Sequence, residues 1–106
     1  MIDNVILKDL SSVKNTFLYR VEVGDNLSLI ANKFHTTQIV LIALNGLESE
    51  PLVGEYILIK KIEGEEYIVM PGDTFEKIAQ NNNKIAQEII RKNKTDCIYV
   101  GQKIYI

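Results

Sequence analysis

The sequence predicts an α+β protein made of two copies of one small β-α-α-β unit, each with two helices packed on a two-stranded antiparallel sheet. Three observations predict this fold class. A thirteen-residue segment that begins at Tyr19 returns in similar form at Tyr67, 48 residues later. Inside each copy the apolar spacing changes from strand-like alternation to a helical period, and each copy ends on a second alternating stretch.

The offset between the copies sets the boundaries. It is 48 residues from Asn45 to Asn93 and 47 residues from Val53 to Val100, so one residue is missing from the loop after Asn93. Loops tolerate such a deletion more readily than helices and strands do. We therefore predict an N-terminal segment over residues 1–18, a first unit over 19–60, a linker over 61–66 and a second unit over 67–106.

Each unit begins with a strand that leads directly into a helix. Tyr19, Val21 and Val23 alternate with polar residues, and Tyr67 and Val69 repeat the pattern less regularly. Apolar residues then recur at helical spacing. They are Leu27, Ile30, Ala31 and Phe34 in the first copy, and Phe75, Ile78 and Ala79 in the second.

A Gly-Asp pair separates strand from helix in both copies. Gly24 and Gly72 suit a tight turn with positive φ, which glycine adopts at little cost. The residues that follow are typical helix N-caps, and Asp73 with Glu76 fits a capping box. The candidate caps are Asp25 or Asn26 in the first copy and Asp73 or Thr74 in the second, and for both aspartates a structural role is favoured over ligand contact.

A second helix and a closing strand complete each unit. The helices are predicted over residues 37–44 and 84–92, before Asn45 and Asn93, for which we expect a left-handed or loop-capping conformation. Strands over 55–59 and 102–106 follow Val-Gly turns, and antiparallel pairing with the opening strand puts both helices on one face. The predicted core is Val21, Leu27, Ile30, Phe34, Leu41, Leu44, Ile57 and Ile59, then Val69, Phe75, Ile78, Ile89, Ile90, Ile104 and Ile106.

Composition limits how such small units are stabilised and what they bind. Cys97 is the only cysteine and His35 the only histidine, so we expect no disulfide within the chain, no structural metal and no cofactor. The net charge of −2 argues against a nucleic-acid partner. The first unit has three basic and five acidic residues and the second has six and four, so the units could attract each other or bind different ligands.

The N-terminal sequence lacks the features of a secretory signal. Asp3 stands where a basic residue is needed, and the apolar run at residues 5–7 is too short. No apolar stretch is long enough to span a bilayer, so we expect no membrane partner. The sequence as written is therefore expected in the cytoplasm, with spore or cell-wall association as the other compartment to test.

The ordered motifs resemble those of the LysM domain family. In the first copy the matching residues are Tyr19, Val21, Gly24-Asp25, Leu27, Ile30-Ala31, Leu44-Asn45 and Val53-Gly54, and in the second they are Tyr67, Val69, Gly72-Asp73-Thr74, Ile78-Ala79, Asn93 and Val100-Gly101. The resemblance implies non-catalytic binding of polymers that contain N-acetylglucosamine, chiefly peptidoglycan or chitin. It places the sugar in a shallow groove between the strand-to-helix turn and the loop before the last strand.

The same resemblance implies which residues line the grooves. In the first copy they are Gly24, Asp25, Asn26 and Leu27, facing Gly46, Leu47, Glu48 and Leu52; in the second they are Gly72, Asp73, Thr74 and Phe75, facing Lys94, Thr95, Asp96, Cys97 and Ile98. The first copy departs from the family pattern, because it has Asn26 for the usual Thr and carries Glu48 and Glu50 in the loop. These acids are unfavourable near the carboxylates of peptidoglycan stem peptides, so we expect the second copy to be the better binder.

One feature favours protein contact instead. The helix over residues 38–44 has an apolar outward face formed by Ile39, Val40 and Ala43. We expect this face to be covered by the N-terminal segment, by the other copy, or by a homodimer or other protein partner. A locally wider buried stripe of the helix is an equal alternative. The alternative function is accordingly a protein–protein assembly module, of spore-coat or phage-tail type, with degenerate sugar grooves. An enzyme is not expected, since His35 has no nucleophile or acid in a recognisable arrangement.

Overall fold

Eight elements form two successive β-α-α-β units in the computed structural model, which describes residues 16–106. The predicted fold class is confirmed. The N-terminal segment, which was predicted to cover the apolar face of the helix over residues 38–44 with residues 5–7, lies mostly outside the described residues. The first unit comprises β1 (Thr16–Arg20), α1 (Leu27–Lys33), α2 (Gln38–Asn45) and β2 (Tyr56–Lys60), and the second comprises β3 (Glu66–Ile68), α3 (Phe75–Asn81), α4 (Ala86–Asn93) and β4 (Lys103–Tyr105).

Each unit contains one two-stranded antiparallel sheet, as predicted. β1 pairs with β2 so that Tyr19 lies opposite Ile57, and β3 pairs with β4 so that Tyr67 lies opposite Ile104. β1 begins before the predicted start and ends at Arg20, although the Val21 amide still donates to the Glu55 carbonyl at 2.8 Å. The chain leaves the ladder there because a tight turn follows.

The two cores lie between each sheet and its helices. Most predicted core residues are buried, but Leu44 is only half-buried and does not belong to the first core, which corrects the prediction. Phe34 and Ile90 pack against the cores from partly buried positions. The buried residues are Val21, Leu27, Ile30, Ala31, Leu41, Ile57 and Ile59 in the first core, and Val69, Phe75, Ile78, Ala79, Ile89, Ile104 and Ile106 in the second.

The first helix of each unit is capped by the residue after the aspartate. The Asn26 side chain accepts from the Leu29 amide, and the Thr74 hydroxyl accepts from the Lys77 amide. The predicted capping box of Asp73 with Glu76 is therefore wrong. Asp73 stands one residue too early, and its carboxylate accepts from the Tyr67 hydroxyl and the Met70 amide instead.

Asn45 and Asn93 fasten the second helix of each unit to the last strand. Both are helical, so the predicted left-handed conformation is wrong for them; the next residues, Gly46 and Lys94, adopt it with φ of 62° and 54°. The Asn93 amide group donates to the Ile89 and Tyr105 carbonyls at 2.8 and 2.7 Å, and its oxygen accepts from the Tyr105 amide at 2.9 Å. Asn45 makes the equivalent three bonds.

The two units contact each other through β4 and the linker. Val40, Ile62 and Tyr105 form a buried cluster, and the Tyr105 ring packs on His35 with 4.4 Å between the ring centroids. Val40 is therefore not part of an open face, because the other copy and the linker cover it at 1% exposure. Ile39 is half-buried and Ala43 is exposed.

Within residues 16–106, no single helix has the length and apolarity to cross a membrane. Only α1 and α2 taken together pass on length and composition, and a bend of 106° separates them.

Candidate functional site

The strand-to-helix corner has the same construction in both units. The Asp25 amide donates to the Glu22 carbonyl at 3.0 Å, and the Asp73 amide donates to the Met70 carbonyl at 3.1 Å. The third residue of each turn is glycine, with φ of 90° at Gly24 and 84° at Gly72, a conformation that disfavours other residues. A Cβ built on either glycine would meet nothing within 4 Å, so the outer side of the corner is open.

A tyrosine and the corner aspartate lock each turn. The Tyr19 hydroxyl donates to Asp25 at 2.5 Å, and the Tyr67 hydroxyl donates to Asp73 at 2.6 Å. The same oxygen of each aspartate also accepts a backbone amide at 2.8 Å, from Glu22 in the first unit and from Met70 in the second. The aspartates thus hold the turn in shape, which is the structural role the sequence favoured for them.

These bonds shift the acidity of both partners. The tyrosine hydroxyl, and after it the backbone amide, lowers the pKa of Asp25 and of Asp73, because both donors favour the charged carboxylate. The adjacent carboxylate raises the pKa of Tyr19 and of Tyr67. Neither aspartate has the raised pKa that a general acid requires at neutral pH.

In the first unit, the opposite loop reaches the start of α1 and occupies its first backbone donor. The Glu50 carboxylate accepts a hydrogen bond from the Leu27 amide at 2.7 Å. This amide belongs to the first turn of α1, where the N–H groups have no partner within the helix. The donor that the family resemblance would offer to a sugar is therefore already bonded within the chain.

In the second unit, the equivalent donor is free. The Phe75 amide makes no hydrogen bond to any residue in the described part of the chain. Cys97 is exposed and takes the place of Glu50 in the second unit. It lies three residues before Val100, just as Glu50 lies three residues before Val53. Its amide is held by the Thr95 hydroxyl at 3.2 Å, so the loop is ordered without closing the corner.

The predicted site residues divide into those that face solvent and those that support the fold. The side chains of Leu27 and Phe75 are buried at 5% exposure each, so only their backbone amides could meet a ligand. Leu47 and Ile98 pack against the cores from partly buried positions, whereas Leu52 is 71% exposed. The side chains on the open surface are those of Asn26, Glu48, Leu52, Thr74, Lys94, Asp96 and Cys97.

Glu50 contacts the corner through the Leu27 amide but is missing from the predicted groove. The sequence does place two glutamates in this loop, and their charge indicates an effect on binding. It does not show which of them turns inward, because that depends on the fold of a loop far from Leu27 in sequence.

Two clefts lie between the units rather than at the corners. The larger, of about 750 Å³, is lined by residues of the linker, α4 and Val40, and it meets the predicted second groove only at Lys94. The smaller, of about 230 Å³, lies between the first unit's helices and the loop before β4. Among residues 16–106, no three His, Cys, Asp or Glu side chains are grouped so as to hold a metal ion.

The fold and the two corners define a tandem of small β-α-α-β repeat modules. The LysM domain model matches residues 19–60 and 67–106, which is more than half of the chain. The chain belongs to the LysM domain family. LysM domains are non-catalytic modules that bind peptidoglycan in general.

Similar proteins include an endolysin of Bacillus phage PZA, which is 35% identical over 106 residues. The match covers 93% of this chain and 41% of that protein, so the chain spans less than half of its relative. Among solved structures, the spore cortex-lytic enzyme SleL of Bacillus cereus is 26% identical with a TM-score of 0.42, over 86% of this chain and 22% of that one. SleL of Bacillus megaterium QM B1551 is 27% identical with a TM-score of 0.46, over 87% and 22%.

Proposed function

We propose that this chain binds glycan that contains N-acetylglucosamine, peptidoglycan above all, without catalysing a reaction, and that the groove of the second unit is its principal site. The observation that supports this proposal is the free Phe75 amide at an open, glycine-led corner. Membership of the LysM family gives the ligand class.

The chemistry of the second corner suits an acetamido sugar. A free backbone N–H at a helix start is a good donor to an acetyl carbonyl, because the helix leaves it without a partner. Gly72 lets the saccharide approach the main chain closely, and Ile98 in the facing loop provides apolar surface for the acetyl methyl group. A shallow groove of this kind binds weakly, since it buries little of the ligand.

Catalysis is not part of the proposal. His35 packs on Tyr105 and has its Nε2 atom 3.0 Å from the Gly64 carbonyl oxygen, so its ring belongs to the contact between the units. The two corner aspartates have lowered pKa values and are committed to their turns. The relatives that are enzymes are longer than this chain, and their activities are not assigned to it.

The alternative of a protein assembly module rests on the apolar residues of α2. The burial of Val40 against Ile62 and Tyr105 removes the strongest of them from the surface. The closed first corner fits a degenerate groove, but the open second corner does not. We therefore favour glycan binding, with the cell wall or the spore as the compartment where the ligand is met.

Sedimentation with purified peptidoglycan tests the proposal, and calorimetry with a neutral N-acetylglucosamine oligosaccharide gives the affinity. Cys97→Glu brings into the second unit the residue that closes the first, so we expect it to reduce binding of both ligands. Cys97→Ser is the matched control and should bind like the wild type. If the wild type binds neither ligand, or if both variants bind equally well, the proposed site is wrong.

A further inference from the structure

We propose that the larger cleft between the units is a second binding site, which takes the acidic stem peptide of peptidoglycan while the second groove takes its sugar. This inference rests on the proposed function, and it adds a ligand component that the sugar groove does not recognise. The cleft has a volume of about 750 Å³ and is lined by six basic residues: Lys60, Lys61, Lys84, Arg91, Lys92 and Lys94.

Most of this positive charge is not neutralised within the described part of the chain. Lys60, Lys61, Lys84 and Lys94 form no ion pair there. Arg91 pairs with Glu88 at a long distance of 3.9 Å, and both side chains are largely exposed, so this ion pair is weak. Lys92 donates to the main-chain oxygens of Glu63 and Ile106. Converging cations beside low-dielectric walls attract anions, so the ligand should carry carboxylates or phosphates.

The apolar residues at the floor and wall of the cleft favour a ligand with carboxylates over one with phosphates. Val40, Ile62 and Ile89 are buried beneath it, and Ile85 is 60% exposed at its wall. Stem peptides combine carboxylates with small apolar side chains, whose methyl groups gain from contact with such a surface. A polyol-phosphate polymer has no methyl groups to place there.

Two acidic residues, Glu63 and Glu88, also line the cleft, which leaves its six basic residues with a net positive excess. Glu88 is exposed beside the lysines and offers a partner to the amino group of a diamino acid in the peptide. The same carboxylate repels a ligand with a phosphate at every repeat. A lining of mixed charge with a net positive excess therefore fits a peptide better than a uniform polyanion.

Position links the cleft to the sugar site. Lys94 lines the cleft and also stands at the start of the loop predicted to face the second corner. In peptidoglycan the peptide is covalently attached to the sugar, so a saccharide in the groove keeps its peptide close to the loop that begins at Lys94. Binding both parts at once raises the affinity beyond that of either alone.

The test compares two oligosaccharides of equal length, one bare and one carrying stem peptides, by calorimetry with the full chain. We expect the peptide-bearing ligand to bind about three- to tenfold tighter, the range that one or two partly exposed ion contacts provide. Lys61→Gln with Lys84→Gln should remove this gain and leave the bare oligosaccharide unaffected. Arg20→Gln with Lys33→Gln removes the same charge outside the cleft, and the gain should persist.

Equal binding of the two ligands by the wild type would overturn the inference, and so would an equal loss in both double variants. A glycerol-phosphate polymer that displaces the peptide-bearing ligand better than free acidic peptide does would also overturn it, in favour of a phosphate site. A titration with free acidic peptide distinguishes a failure of the cleft proposal from a failure of the proposed sugar binding. It should shift the amide resonances of Ile85 and Lys94 in NMR spectra even if the bare sugar does not bind, and the absence of any shift counts against the cleft.

Discussion

Replacing Glu50 with alanine should open the first groove and increase its affinity for sugar. The carboxylate accepts from the Leu27 amide at 2.7 Å, a normal length for a charge-assisted hydrogen bond. A ligand that needs this donor must first break that bond. The first groove of the wild type is therefore weaker by the free energy of the internal bond.

The size of the effect follows from the partial exposure of the bond. Hydrogen bonds to charged groups contribute about 1.5–3 kcal/mol when shielded from solvent. This bond is only partly buried, so we reduce the figure to about 1–2 kcal/mol. Glu50→Ala should then raise the affinity of the first groove by about 5- to 30-fold.

The measurement needs the second groove closed, so Glu50→Ala is combined with Cys97→Glu and titrated with a neutral N-acetylglucosamine oligosaccharide. A neutral ligand removes the effect of net charge on binding. Glu48→Ala in the same background is the matched control, because Glu48 lies in the same loop and makes no hydrogen bond to Leu27. The reasoning is refuted if the two alanine variants have the same affinity, or if the Leu27 amide resonance does not move on addition of sugar to the Glu50 variant.

Three further predictions concern stability. Asn93→Ala should lower the free energy of unfolding by about 3 kcal/mol in urea titrations, because it leaves buried main-chain groups of Tyr105 unpaired. Asn45→Ala should lower the free energy of unfolding by only about 1 kcal/mol, because its site is half-buried and water can reach the groups left unpaired. The lowered pKa of Asp73 means that its contribution to stability is complete above the carboxyl's ordinary pKa and is lost as pH falls through the folded-state pKa; Tyr67→Phe should weaken this acid dependence in melts between neutral and acidic pH. Burial, with a smaller effect of Glu66, raises the pKa of Tyr105 from 10.0 to about 12, so its contribution to stability is complete below pH 10 and is lost as pH rises toward 12. Tyr105→Phe should reduce the alkaline loss of stability in thermal melts, and the part that remains comes from Tyr19 and Tyr67, whose pKa values are also raised. Equal costs for the two asparagine variants, or unchanged pH profiles in the two tyrosine variants, would contradict these assignments.

The sequence predicts the fold well because the signals for it are local and written twice. Alternation before the Gly-Asp pair and helical spacing after it fix the type of each element, and the repeat removes chance matches. The helix caps were harder to predict, because Asp73 and Thr74 are both good N-caps and are adjacent in the chain. The choice is made by the Tyr67 hydroxyl, which engages the aspartate and leaves the cap to Thr74.

The candidate site was less predictable, because its decisive contacts are distant in sequence. The hydrogen bond from Leu27 to Glu50 depends on the conformation of the loop before β2. The burial of Val40 depends on how the second unit is placed against the first, which no spacing within one unit encodes. The sequence analysis singles out Leu27, Glu50 and Val40, but it does not pair Leu27 with Glu50 or Val40 with Ile62 and Tyr105; these partners are known only from the structure.

The difference between the corners changes how two units can act on one polymer. Avidity requires that each unit contribute a site, and in the first unit the internal bond of Glu50 competes with the ligand at the Leu27 donor. The contact through Val40, Ile62 and Tyr105 also joins the units. The two units therefore do not bind separate sugars independently, as two domains on a flexible linker would. If the cleft binds the stem peptide as proposed, the first unit contributes most by forming one wall of this cleft, through Val40 and Lys60. Its main effect on affinity should then depend on the peptide carried by the glycan rather than on a second saccharide.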